Sequence, residues 1–214
     1  MATYTVEKSF DLPRSISPNV ISMAKMFGLG TGPDSSIQVL QRKEITIESG
    51  QVVYLTGASG AGKSVLLQEL QLQFADAVDL NEYELSEGVP IVDCFADGLE
   101  DSFLWLGMAG LSDAYVMLRT AAQLSDGQRY RLKLALAMAN KPKAIFIDEF
   151  CATLDRVAAA VIAHNVRRYA DQYGTTFVLA TSHDDLIEDL QPDVVVVIHL
   201  GSAWDVMYPG RLKG

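Results

Sequence analysis

"QVVYLTGASGAGKS", residues 51–64, decides the fold. An apolar run ends at a glycine, three glycines fall within six positions, and Lys63 and Ser64 close the stretch. The run reads as a buried strand. It turns into a helix whose Leu66, Leu67, Leu70 and Phe74 share one face. Gly57 to Ser64 fits G-x-x-x-x-G-K-[ST], the phosphate-binding loop. Its glycines let backbone N–H groups curl inward onto phosphate oxygens, and the helix aims its positive end at the same point. Lys63 then reaches the β- and γ-phosphates and the Ser64 hydroxyl ligates Mg²⁺. A chance match in such a chain has a probability on the order of 1%, and the strand-to-helix context supports the motif.

Outward from this loop, strands alternate with helices. "VPIVDCF" (89–95), "KAIFIDEF" (143–150) and "TTFVLATS" (175–182) read as strands, and "DVVVVIHL" with "AWDVMY" as a closing strand pair. Residues 125–140, 154–171 and 183–190 read as helices, and 97–122 as mixed helix. "SIQVLQRKEITIESGQ" (36–51) alternates as a strand pair would, and the first 36 residues read as irregular. The pattern predicts an α/β fold with a largely parallel sheet and antiparallel N-terminal strands.

The chain has 214 residues, is 49% hydrophobic and 21% charged, and carries a net charge of −10. That balance argues against broad nucleic-acid binding, which depends on Lys and Arg neutralising phosphates. The short basic runs "RRY" (167–169) and "RLK" (211–213) read as solvated surface. No apolar run approaches the roughly 18–20 residues a membrane helix needs, so no membrane insertion is expected. Two cysteines without metal spacing suggest a reducing, cytoplasmic setting.

"AIFIDEF" places Asp148 and Glu149 at the carboxyl end of a buried strand, where open α/β sheets gather ligands. Alone, two loop carboxylates mean little. Beside a phosphate loop, Asp148 suits Mg²⁺ and Glu149 suits a general base acting on water. "LSDGQ" (124–128) opens the next helix upstream, with Ser125 as N-cap and Gln128 as its capping-box partner. Such a helix start also presents N–H groups to an anion.

"GASGAGKS", "LSDGQ", "AIFIDEF", "ATLD" (152–155) and "TSHDD" (181–185) together resemble, in order, the ATPase domain of ATP-binding cassette (ABC) proteins. The resemblance covers about residues 37–200. It implies a P-loop NTPase, a single domain over 1–214, and a head-to-tail homodimer sandwiching two ATP–Mg²⁺ complexes. Gly57, Ala58, Ser59, Gly60, Ala61, Gly62, Lys63, Ser64 and Val65 would cradle the phosphates of one copy. Ser125, Gly127 and Gln128 of the other would close over them, "ATLD" would lie along the interface, and His183 would be the switch histidine at the γ-phosphate. Glu149, His183 and Lys63 are the expected catalytic set, and Ser64, Asp148 and Asp93 the candidate metal set. His164 and His199 stay unassigned.

The sequence departs from the family at several points. Asp126 stands where the family has glycine. It favours a helix start by roughly 0.3–1 kcal/mol. At 4 Å from a γ-phosphate it would cost about 4 kcal/mol at an effective dielectric of 20, so its carboxylate is expected to point away. Val65 replaces a hydroxyl residue. Asp93 takes the place of the Q-loop glutamine, either sensing Mg²⁺ or serving as a plain strand-end carboxylate. Phe27 is the upstream candidate for stacking on adenine. Only residues 65 through 123, 59 in all, separate the phosphate loop from "LSDGQ", so the helical subdomain, about 75–125, is expected to be shortened.

These departures suggest a soluble branch. The segment 75–95, with "MFGLG" (26–30) upstream, is similar to the ABC-type module that some proteins carry fused to a predicted acetyltransferase domain, for which these residues leave no room. The expected activity is Mg²⁺-dependent ATP hydrolysis serving an unknown protein partner. An ATP-gated clamp with negligible turnover and a transporter subunit are the alternatives. A small-molecule kinase would explain Lys63 but leave "LSDGQ" and His183 without a role.

Overall fold

The structure, a computed structural model, describes residues 1–11, 17–28, 36–181 and 185–209. In chain order its strands are β1 (Ala2–Asp11), β2 (Ser36–Ile47), β3 (Val52–Gly57), β4 (Ala77–Asp79), β5 (Ala144–Ile147), β6 (Thr176–Ala180), β7 (Val194–Ile198) and β8 (Trp204–Met207). The helices are α1 (Pro18–Met26), α2 (Lys63–Gln71), α3 (Leu99–Met108), α4 (Ala114–Met117), α5 (Asp126–Ala139), α6 (Arg156–Tyr173) and α7 (Ile187–Leu190).

Six strands form one sheet in the order β4–β5–β6–β3–β7–β8, parallel except for β8, which runs antiparallel to β7. The three inner parallel strands β5, β6 and β3 are apolar on both faces, as a sheet covered on two sides requires. Val52, Tyr54, Ile145, Ile147, Phe177 and Leu179 face a core built with Trp105 of α3, Leu132 of α5 and Tyr169 of α6. Val53, Leu55, Ala144, Phe146, Val178 and Ala180 face Leu66, Leu67 and Leu70 of α2 together with Leu40, Ile45 and Ile47 of β2. Each such fully buried large side chain contributes roughly 1.5–3 kcal/mol.

Several expectations are corrected. Residues 1–36 are not irregular: β1 pairs antiparallel with β2, from Ala2 opposite Ile47 to Asp11 opposite Ser36. Only Val6 of β1 is fully buried, with Tyr4 and Lys8 half-buried on the same side and the residues between them exposed, so the alternation is shallow. Residues 36–51 hold one long strand rather than two, because its partner lies far upstream. Helix α1 starts on Ser17, whose hydroxyl accepts the Val20 N–H, with Pro18 in the first turn. "VPIVDCF" is not a strand but a 3-10 turn, Ile91–Asp93, pinned by Ile91 N–H to Arg119 O at 2.8 Å. Pro90, which has no N–H to give, opens it. The sheet edge is filled by β4 instead, which the polar stretch 75–88 concealed.

The antiparallel pair β1–β2 is attached to the sheet through β8: Trp204 Nε1 donates to Gln41 O at 2.8 Å and Lys43 bonds Trp204 O and Asp205. At the opposite end of the strands from the phosphate loop, Arg167 of "RRY" is not solvated surface. It is buried and donates to Asp193 at 2.7 Å, to Asp171 at 2.8 Å and to Gly50 O at 3.0 Å. Asp193 also accepts the Val52 N–H, which fixes the start of β3. "RLK" lies outside the described residues. Breaking this buried pair leaves a carboxylate without its charge partner, so Arg167→Ala is expected to lower unfolding free energy by about 3–5 kcal/mol in a urea titration.

Candidate active site

The carboxyl ends of β3 and β5 bring the phosphate loop and the acidic pair into one cleft. A cavity of about 320 Å³ is lined by Ser59, Gly60, Gly62, Lys63, Ser64 and Val65 on one side and by Asp148, Glu149 and Thr181 on another. Val39 of β2 closes it. The loop must begin with glycine: a Cβ on Gly57 would sit 2.2 Å from the Ile198 carbonyl oxygen of β7. Ala58 and Ala61 close the turn between them, Ala61 N–H bonding Ala58 O at 3.1 Å. The Lys63 ammonium, mostly buried, donates to Gly57 O at 2.8 Å and Ala58 O at 3.0 Å. That hold folds the side chain back over the loop and leaves a third proton for an anion in the cleft.

Asp148 sits where β5 ends, and its Oδ1 accepts the Glu149 N–H at 3.0 Å. Glu149 and Cys151 both take left-handed backbone conformations, at φ 53° and 59°. Residues without that preference hold it only where the surroundings enforce it, at about 1–3 kcal/mol each. Phe150 N–H bonds Ala180 O of β6 and Cys151 N–H bonds the Tyr130 hydroxyl. Asn81, just past β4, accepts the Asp148 N–H at 3.0 Å. Neither Asn81 nor Tyr130 stood out in the sequence, because each acts on main-chain atoms that any sequence supplies.

Helix α5 starts as expected. The Ser125 hydroxyl accepts the Gln128 N–H at 3.3 Å and Gln128 Oε1 accepts the Ser125 N–H at 3.0 Å, a complete capping box. Gly127 is tightly enclosed: a Cβ there would lie 3.2 Å from both the Leu154 side chain and the Thr153 carbonyl of "ATLD", which would have to give by a few tenths of an ångström. The Asp126 carboxylate is well exposed and pairs with Arg129 at 3.3 Å, one turn along the helix. Asp93 lies in the 3-10 turn and does not line the phosphate cleft. Phe27, past the end of α1, is exposed and does not line it either. His183 lies outside the described residues, while Thr181 two positions earlier lines the cleft.

A phosphate chain with Mg²⁺ fits this donor set: loop N–H groups, an ammonium, a hydroxyl on Ser64 and one or two carboxylates. Among the described residues no three His, Cys, Asp or Glu side chains gather as a metal cage. Mg²⁺ bound through substrate phosphates and a carboxylate needs none.

Two solved structures share the architecture. A dimeric bacterial ABC transporter cassette superposes with a TM-score of 0.65 at 18% identity, over 86% of this chain and 95% of that one. The dimeric post-hydrolysis state of an ATP-binding cassette, bound to ADP and phosphate, gives 0.67 at 16% identity over 99% and 98%. The chain has the fold of an ATP-binding cassette. No family model matches it. Among curated proteins, the chain is 28% identical to the methionine import ATP-binding protein of Burkholderia thailandensis, over 82% of its residues. It is 25% identical to the spermidine/putrescine import ATP-binding protein of Mesorhizobium japonicum, over 92% of the chain. It spans 63% of the length of each. The lipoprotein-releasing system ATP-binding protein of Shewanella denitrificans is 28% identical over 69% of the chain and 78% of its own length.

The second thiol of the chain, Cys151, is buried at the acidic turn, and burial pushes its pKa up to about 12. A raised value keeps the thiol neutral and unreactive through pH 8. Iodoacetamide at pH 8 is therefore expected to leave Cys151 unmodified in the native protein and to label it in denaturant, as read by peptide mass.

Proposed function

We propose that this cassette binds ATP with Mg²⁺ and hydrolyses it at a head-to-tail interface between two copies. The observation that carries the reading is the convergence of Lys63 and Ser64 with Asp148 and Glu149 in one cleft. The loop N–H groups from Gly57 to Val65 hold the phosphates, and Lys63 meets the charge between the β- and γ-phosphates. Ser64 and Asp148 hold Mg²⁺, which supplies neutralisation of the phosphate oxygens when bound. Glu149 takes the proton of the attacking water. Ser125 and the first N–H groups of α5, with Gly127 and Gln128, close over the γ-phosphate of the other copy, and His183 contacts it from "TSHDD".

Residues 1–214 then make one ATPase domain, in which about 75–125 is a shortened helical subdomain. The short spacing from loop to signature also supports the narrower likeness to the soluble modules fused to predicted acetyltransferases. Two free thiols suit a reducing cytoplasm. Asp126 is compatible with pairing because Arg129 engages its carboxylate along the helix rather than towards a phosphate.

A second reading, an ATPase subunit of a transporter, is favoured by exposed Leu99, Phe103, Leu104, Tyr115 and Leu118 around α3 and α4 and by the names of the relatives. The chain itself has no helix long and apolar enough to cross a membrane among the described residues.

Light-scattering mass with and without Mg-ATP, with phosphate release in parallel, tests the first reading. Glu149→Gln is expected to double in mass on ATP while its turnover falls at least a hundredfold. A mutant that binds ATP yet stays monomeric at high concentration would remove the sandwich. In the same assay Asp126→Gly is expected to shift the dimer dissociation constant less than threefold, and a large gain in affinity would show that Asp126 opposes pairing.

A further inference from the structure

Helix α5 holds the acidic turn from both sides. Tyr130 and Lys133, three residues apart, lie on one face of the helix. The Tyr130 hydroxyl accepts the Cys151 N–H at 3.2 Å and lies 3.9 Å from Cys151 Sγ. Lys133 Nζ donates to the Asn81 main-chain oxygen at 2.9 Å. The Asn81 amide in turn brackets Asp148, its Oδ1 accepting the Asp148 N–H at 3.0 Å and its Nδ2 donating to the Asp148 carbonyl at 3.4 Å. Asn81 thus supplies, with a side chain, the pairing that β4 would give if it ran one residue further.

Between these two anchors stands Glu149 with its left-handed φ of 53°. A strained backbone persists only where its neighbours over-determine it. Here the neighbours are the two anchors and the Phe150 N–H bond to Ala180 O. The same residues, Asn81, Tyr130 and Lys133, line a second cavity of about 280 Å³ together with Asp126, Arg129, Asp148 and Glu149. Ser125, at the start of the helix, lies only about 7.5 Å from Tyr130 along its axis at 1.5 Å per residue.

Resting on the ATP-sandwich reading, we propose that Tyr130 and the Asn81–Lys133 pair are positioning residues for Glu149. They make α5 a rigid link between the other copy's phosphate, met at Ser125, and the carboxylate acting on this copy's own nucleotide. A shift of the helix is delivered to both ends of the turn at once, so Glu149 reaches its working geometry only when the helix start is engaged. Displacement of a catalytic group by about 1 Å is enough to cost on the order of a hundredfold in rate.

The test compares ATP turnover in wild type, Tyr130→Phe and Asn81→Leu, each also made in a Glu149→Gln background, with thermal melting as a fold control. Tyr130→Phe keeps the ring and removes only the hydroxyl. Both single variants are expected to lower kcat about tenfold with KM within twofold. In the Glu149→Gln background they are expected to lower the residual rate no further, because they act through the missing carboxylate. Unchanged kcat in both variants, or an equal further fall without Glu149, overturns the proposal. Absence of turnover in wild type overturns the ATPase reading instead. Hydrogen exchange then decides the link: Cys151 amide exchange at least tenfold faster in Tyr130→Phe upholds it, and unchanged exchange overturns it.

Discussion

The position of β6 between β3 and β5 governs the rest of the molecule. It separates the phosphate loop from the acidic turn by two strand spacings, about 10 Å. That gap accommodates a phosphate group and a metal ion without letting Lys63 and Asp148 collapse onto each other as an ion pair. The parallel hydrogen bonds that hold it, such as Ile145 opposite Phe177 and Val53 opposite Val178, are buried on both faces and shielded from water. The candidate site residues sit beyond the strand ends, and their separation is set by strand pairs buried on both faces.

Each loop is then fixed through contacts to its main chain rather than by charge. Gly57 passes against the Ile198 carbonyl, Gly127 against Thr153 and Leu154, and the acidic turn hangs from Ala180, Asn81 and Tyr130. Close main-chain contacts of this kind tolerate little change of volume, and they leave the charged groups free for a ligand. The capping box of α5 follows the same logic: Ser125 and Gln128 satisfy each other, and the rest of the helix start is open to an anion.

Much of this was legible in the sequence. The phosphate loop, the "AIFID" strand, the capped helix and the closing β7–β8 pair carry local signals: glycine spacing, continuous apolar runs and a Ser-to-Gln offset of three. The failures were long-range. β1 buries only Val6 fully, and its partner β2 is distant in sequence. β4 is three residues long and owes its existence to β5. "VPIVDCF" has strand composition but is held as a turn by Arg119 and packs Ile91 into the core. Arg167 looked solvated because its partners Asp193 and Gly50 are distant in sequence. In the candidate site Lys63, Asp148 and Glu149 stand in readable motifs, Asp93 does not line the cleft, and Asn81 and Tyr130, which hold the main chain in place, carry no sequence signal.

The six-stranded sheet ends in a strand of three residues on one side and of four on the other. Edges so short offer few unpaired N–H and C=O groups in register, which makes them poor templates for another chain's strand. Growth of the sheet from molecule to molecule is discouraged at both ends. The six-stranded sheet is thereby a poor edge-to-edge partner for a second copy of itself.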